Sequence, residues 1–80
     1  MMYYKTLSAR LQRCGWILTD ESHEEKLNEP GRIAPHYFKY MHPTITDDNY
    51  SIIEIITGNN KDGSPGKIRQ IWQGGKPCRV

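Results

Sequence analysis

Three histidines, His23, His36 and His42, are the side chains of this 80-residue chain best suited to move a proton near neutral pH, because an unperturbed imidazole titrates at about pH 6.5. Around them lie Lys39, Lys67 and Arg69, which can hold phosphate oxygens, and Tyr37 and Tyr40, whose rings can stack on unpaired bases for about 1–3 kcal/mol each. Cutting an RNA backbone without a metal needs these kinds of group: a base for the 2′-hydroxyl proton, an acid for the departing 5′-oxygen and cations for the charge that builds on phosphorus. Each also has a plainer use. Lone histidines are mostly structural or exposed, strand aromatics mostly pack in cores, and surface cations are mostly solvated. No metal or cofactor is expected, since Cys14, His23, His36, His42 and Cys78 contain no closely spaced pair, whereas a structural zinc takes about four ligands built from such pairs.

The bulk properties set wider bounds. At 80 residues the chain is expected to be one domain (1–80) with one thin core, because folding at this size buries only roughly 60% of the unfolded surface. Two Trp, five Tyr and one Phe argue against disorder, each ring being able to bury on the order of 150–250 Å². Eleven Lys and Arg against nine Asp and Glu leave a net charge of +2, too small to identify a nucleic-acid partner, so distribution matters more. Acid gathers at Asp20 to Glu29 and at Asp47 to Glu54, whereas Lys67, Arg69, Lys76 and Arg79 make the C-terminal fifth purely basic. That end is the candidate phosphate-facing surface. The two cysteines lie far apart with no CxxC pair and no secretory apolar segment before them, which points to a reducing cytoplasm. The longest apolar run, around Ile52 to Ile56, is far short of the roughly 20 residues that a membrane-crossing helix needs.

The elements that must position these residues can be read from periodicity. Tyr4, Leu7 and Leu11 follow a helical repeat that Gly15 closes, and Trp16 to Thr19 has strand propensity that the turn-prone Asp20-Glu21-Ser22 ends. His23 to Pro35 carries charge, two prolines and no apolar period, so an irregular, mobile loop is expected at 23–35. His36 to His42 reads as a second strand closed by Pro43, with His36, Phe38, Tyr40 and His42 on one face and Tyr37, Lys39 and Met41 on the other. Tyr50 to Thr57 reads as a central strand, and Gly58 to Gly63 as a loop. Ser64 and Pro65 look like the N-cap and first residue of a closing helix to Gln73, with Ile68, Ile71 and Trp72 as its apolar stripe and Gly74-Gly75 as its stop. The expected fold is therefore α+β, a double-stranded-RNA-binding-domain-like α-β-β-β-α arrangement of a three-stranded antiparallel sheet with two helices on one face. Its expected core holds Leu7, Leu11, Trp16, Leu18, Ile53, Ile55, Ile68, Ile71 and Trp72.

The helix running into Gly15-Trp16-Ile17-Leu18, the strand ending Tyr40-Met41-His42-Pro43, and Ser64-Pro65-Gly66-Lys67-Ile68-Arg69-Gln70-Ile71-Trp72 together resemble the HicA family of mRNA-cleaving toxins. The likeness lies in the order of these elements and covers most of the chain outside His23 to Pro35 and the tail after Gly75. It implies an endoribonuclease of a toxin-antitoxin pair, with RNA and a HicB-like antitoxin as partners and a catalytic histidine on the second strand. That histidine is best matched by His36, although Ala34-Pro35 replaces the family's small pair before it. Ser22-His23 offers an alternative match, and His42 is a candidate partner acid. Lys39, Tyr37, Tyr40, Lys67 and Arg69 are the candidate RNA contacts. The competing expectation is a non-catalytic phage or plasmid accessory protein of the same fold that binds a host protein or RNA, which the residues before His36 and the acidic loop favour. A DNA-binding regulator fits less well, because the two expected helices are separated by the whole sheet.

Overall fold

In the computed structural model, which describes residues 2–23 and 35–79, the repeat of Tyr4, Leu7 and Leu11 forms helix α1 (Tyr4–Arg13). Gly15 ends it as expected. At φ +91° it occupies left-handed backbone, its N–H bonds the Gln12 carbonyl, and the Trp16 N–H reaches back to the Leu11 carbonyl at 3.0 Å, the Schellman arrangement. Trp16 and Leu11 both join the core, which supplies the apolar contact that this cap favours.

Strands β1 (Ile17–His23), β2 (His36–Met41), β3 (Ile52–Asn59), β4 (Pro65–Gln73) and β5 (Lys76–Cys78) form one antiparallel sheet in sequential order. The expected three-stranded sheet with two helices is thus incorrect: α1 is the one helix among the described residues, and Pro65 to Gln73 is a strand. A bulge explains the misreading. Thr57 pairs with Ile68 while Ile56 pairs with Gln70, so Arg69 is an extra residue in β4, and the alternation of faces slips there by one. Ile68 and Ile71, three apart, consequently lie on the same sheet face, opposite Thr57 and Ile55, and their spacing imitates a helical stripe. Trp72, opposite Glu54, falls on the other face. Gly74-Gly75 is a hairpin turn rather than a helix stop. Both glycines have positive φ, +60° and +80°, and the flanking Gln73 and Lys76 are paired, as a two-residue hairpin loop requires.

Two further boundaries move. β1 continues through Asp20-Glu21-Ser22 to His23, because each of these residues finds a partner on β2, after a bulge between Leu18 and Asp20. β3 likewise takes in Gly58 and Asn59. Of the loop expected at 23–35, His23 closes β1 and Pro35 is exposed, and residues 24–34 lie outside the described residues. At its other margin the sheet is extended by the N-terminus: the Ile68 N–H bonds the Met2 carbonyl at 3.0 Å and Tyr3 bridges to Lys67. This pairing fixes where α1 starts relative to β4.

Cross-strand partners share a face. One face carries His23, His36, Thr57 and Ile68 in one row and Glu21, Phe38, Ile55 and Ile71 in the next. α1 packs over it. The buried core is Leu11, Phe38, Tyr40, Ile55 and Ile68, with Met2, Tyr4, Leu7, Trp16, Ile53 and Ile71 packed against it. Leu18 and Trp72, expected in the core, are outside that cluster, and Leu18 is 37% exposed. The opposite face presents Tyr37, Lys39, Ile52, Glu54, Ile56, Gln70 and Trp72, and α1 does not cover it.

Candidate functional site

The antiparallel register sets His23, the last residue of β1, directly opposite His36, the first of β2. Both side chains stand on the α1 face, and their rings stack with centroids 3.9 Å apart and planes 18° from parallel. The His36 Nε2 lies 2.9 Å from the Gly63 carbonyl oxygen. A carbonyl only accepts, so Nε2 carries the hydrogen in this bond, and Nδ1 is the ring atom left to take or give a proton. The stack continues inward: Phe38 lies 6.1 Å from His36 and nearly parallel to it, and Tyr4 stacks on Phe38 at 3.9 Å. α1 therefore steadies the histidines through two aromatic rings.

The pair opens on a pocket of about 400 Å³ that Glu21, Ser22, Phe38 and Pro65 also line. Glu21 was not singled out from the sequence, because Asp20-Glu21-Ser22 reads as a turn. Its signal lies in period two: once β1 is extended, Glu21 and His23 share a face. Directly across from His36 on β3 is Thr57, fully buried, with a hydroxyl that has no hydrogen-bond partner among the described residues.

The remaining candidates are dispersed. His42, just beyond the far end of β2, is about 20 Å from His36 along the strand at ~3.3 Å per residue. Its Nε2 donates to the Cys14 carbonyl at 2.9 Å, its Nδ1 accepts from the Thr44 N–H at 3.3 Å, and the Thr44 hydroxyl lies 3.1 Å from Nδ1. Trp16 packs edge-on against the ring. These contacts make His42 a latch between the end of α1 and the sheet. Tyr40 is completely buried, its hydroxyl 2.6 Å from that of Tyr4 and 2.7 Å from Ser8 Oγ, so its ring offers no surface to a base. Burial, then the bond to Tyr40, pushes the Tyr4 phenol well above its usual value.

Tyr37 and Lys39 lie on the face that α1 leaves uncovered. Tyr37 donates to Glu54 Oε2 at 2.7 Å, and burial followed by that bond pushes its phenol up to about 12. The Arg69 side chain lies over Gly58, where a Cβ would meet its Nε at 2.9 Å. Lys67 is exposed beside Tyr3. Neither Lys39 nor Arg69 lines the histidine pocket. Among the described residues no group of three or more His, Cys, Asp or Glu side chains is placed to hold a metal, and no helix is long and apolar enough to cross a membrane. The chain matches no family model, no curated protein and no solved structure.

Proposed function

We propose that this protein binds RNA and cleaves it without a metal, with His23 and His36 as the acid and base. The observation that carries this is the stacking of the two imidazoles at 3.9 Å on the rim of one pocket. Two rings stacked in this way bring two proton-transfer groups to one pocket, and attack and departure at phosphorus need one for each oxygen. His36 is the base: with Nε2 committed to Gly63, its Nδ1 takes the 2′-hydroxyl proton. The 2′-oxygen attacks phosphorus, His23 protonates the 5′-oxygen as its bond to phosphorus breaks, and the products are a 2′,3′-cyclic phosphate and a 5′-hydroxyl.

The resemblance to HicA toxins supports the substrate class, and its two alternative histidine matches, His36 and His23, are the two members of this pair. It does not extend to the fold, since its Pro-Gly element opens β4 rather than a helix. A growth-inhibiting toxin of the cytoplasm, restrained by a HicB-like antitoxin, is the setting that goes with this activity, and the free, exposed thiols of Cys14 and Cys78 agree with a reducing compartment. Purified protein incubated with RNA in excess chelator should yield cyclic-phosphate ends. RNA that stays intact at every pH from about 6 to 8, the range in which histidine changes charge, would refute the proposal.

One observation favours a second reading, a non-catalytic accessory protein that binds RNA or a host protein. The face that α1 leaves uncovered carries Trp72, Tyr37, Ile52 and Ile56 beside Lys39, aromatic and cationic groups of the kind that strand-borne binding surfaces use.

A further inference from the structure

A second hollow adjoins the histidine pocket. It measures about 780 Å³ and runs between α1, from Tyr4 to Gln12, and the turn joining β3 to β4, a size within the range of small-molecule sites. Pro65 lines both hollows. The turn that bounds the larger one also contains Gly63, whose carbonyl holds His36, and Tyr4 in its wall stacks on Phe38 in the wall of the other. Whatever fills the groove therefore lies next to the two imidazoles.

We propose that this groove is a nucleoside subsite for the nucleotide flanking the phosphate cut at His23 and His36. The inference rests on the RNA-cleavage reading and adds to it the place where a base is held. Tyr3, 46% exposed, is a large aromatic left out of the core, and its ring gives a base a stacking surface. Gln12 donates through Nε2 to Ser8 Oγ at 3.0 Å, which fixes its amide and leaves the carbonyl oxygen and one N–H for the edge of a base. Lys5 supplies positive charge, and among the described residues no Asp or Glu lines the groove, unlike the histidine pocket with its Glu21. Asp62, in the adjoining turn, spends Oδ1 on the Ser64 N–H and hydroxyl at 2.9 and 2.5 Å, and those bonds hold its carboxyl below the usual range. Asn60 commits its amide N–H groups to Ser64 Oγ and the Pro65 carbonyl, so the far wall is held in shape before a ligand arrives.

The test uses the four ribonucleoside 3′-monophosphates and inorganic phosphate as probes, titrated into the full-length protein while its backbone amide resonances are followed. The nucleotides are expected to shift Tyr3, Lys5 and Gln12 and to bind more tightly than phosphate alone. Tyr3→Ala should weaken nucleotide binding about fivefold to a hundredfold, the worth of one stacked base, leave phosphate binding unchanged, and raise KM for RNA while sparing kcat. RNA cut equally well by Tyr3→Ala, with nucleotides no tighter than phosphate, overturns the subsite and leaves the nuclease reading intact. Nucleotides that bind in the groove and are lost with Tyr3→Ala, while RNA stays whole, uphold the subsite and remove the cleavage. Nucleotides that shift only residues outside the groove overturn it.

Discussion

Two adjacent glycines give the sharpest mechanical test of the hairpin that replaces the expected second helix. Gly74 and Gly75 both have positive φ, +60° and +80°, so an alanine at either position meets the left-handed penalty of about 1–2 kcal/mol. Their surroundings differ. A Cβ on Gly74 would lie 2.5 Å from both the Cα and the carbonyl oxygen of Asn49, whereas one on Gly75 would meet nothing within 4 Å among the described residues. Asn49 can yield only by moving backbone, and forced repacking of that kind costs about 1–3 kcal/mol more. Gly75→Ala should therefore cost about 1–2 kcal/mol and Gly74→Ala about 2–5 kcal/mol. The gain from a stiffer unfolded chain, roughly 0.4–1 kcal/mol, is common to both and cancels in the difference. Urea unfolding followed by circular dichroism reads the two midpoints, with the slope m unchanged if the native state is the same. Equal destabilisation by the two variants would refute the close approach of this turn to Asn49, and full stability of both would refute the left-handed hairpin itself.

Thr57→Val should raise stability by about 1 kcal/mol or more, seen as a melting temperature higher by about 4–8 °C per kcal/mol in a domain of this size, because the Thr57 hydroxyl is fully buried without a partner among the described residues; a loss of stability would mean that the hydroxyl is bonded. The Tyr37 phenol, pushed up to about 12 by burial and by its bond to Glu54, favours the folded state below its ordinary value of about 10, and this contribution is lost as pH rises through the folded value. Ultraviolet titration should accordingly show the Tyr37 phenolate late in the wild type, ahead of the still later Tyr4, and ionising earlier in Glu54→Gln; unchanged curves would contradict the bond. His42→Ala breaks the latch to Cys14 and Thr44, so it should lower the unfolding midpoint while RNA cleavage by the folded protein continues, and a folded variant without activity would return His42 to the chemistry.

How far the sequence speaks depends on which signal each segment carries. α1 was legible because Tyr4, Leu7 and Leu11 share one face and only a residue such as glycine takes the φ of +91° found at position 15. β2 and the heart of β3 were legible from β-branched and aromatic runs. β4 was not, because the bulge at Arg69 turns a strand's period of two into a spacing of three between Ile68 and Ile71, and Ser64-Pro65 then mimics a helix start. Gly74-Gly75 between Gln73 and Lys76 did carry a hairpin signal, masked by the helix already assigned before it. At the candidate site the sequence offers His36 and His23 as rivals for one role, since nothing local in it sets the β1–β2 register that stacks them. Tyr40 reads as a base-stacking residue because alternation assigns it to a face without saying what covers that face, and its hydroxyl's partners, Tyr4 and Ser8, lie 36 and 32 residues away.

Whether His23 and His36 act as one unit is read from the single-turnover rate of RNA cleavage in excess chelator for wild type, His23→Ala, His36→Ala and the double variant. Each single change is expected to lower the rate by about 10²–10⁴-fold, and the double variant should be no slower than the worse single one, because groups that serve the same transition state do not add. Full activity in His23→Ala, or losses that multiply in the double variant, would contradict the pairing.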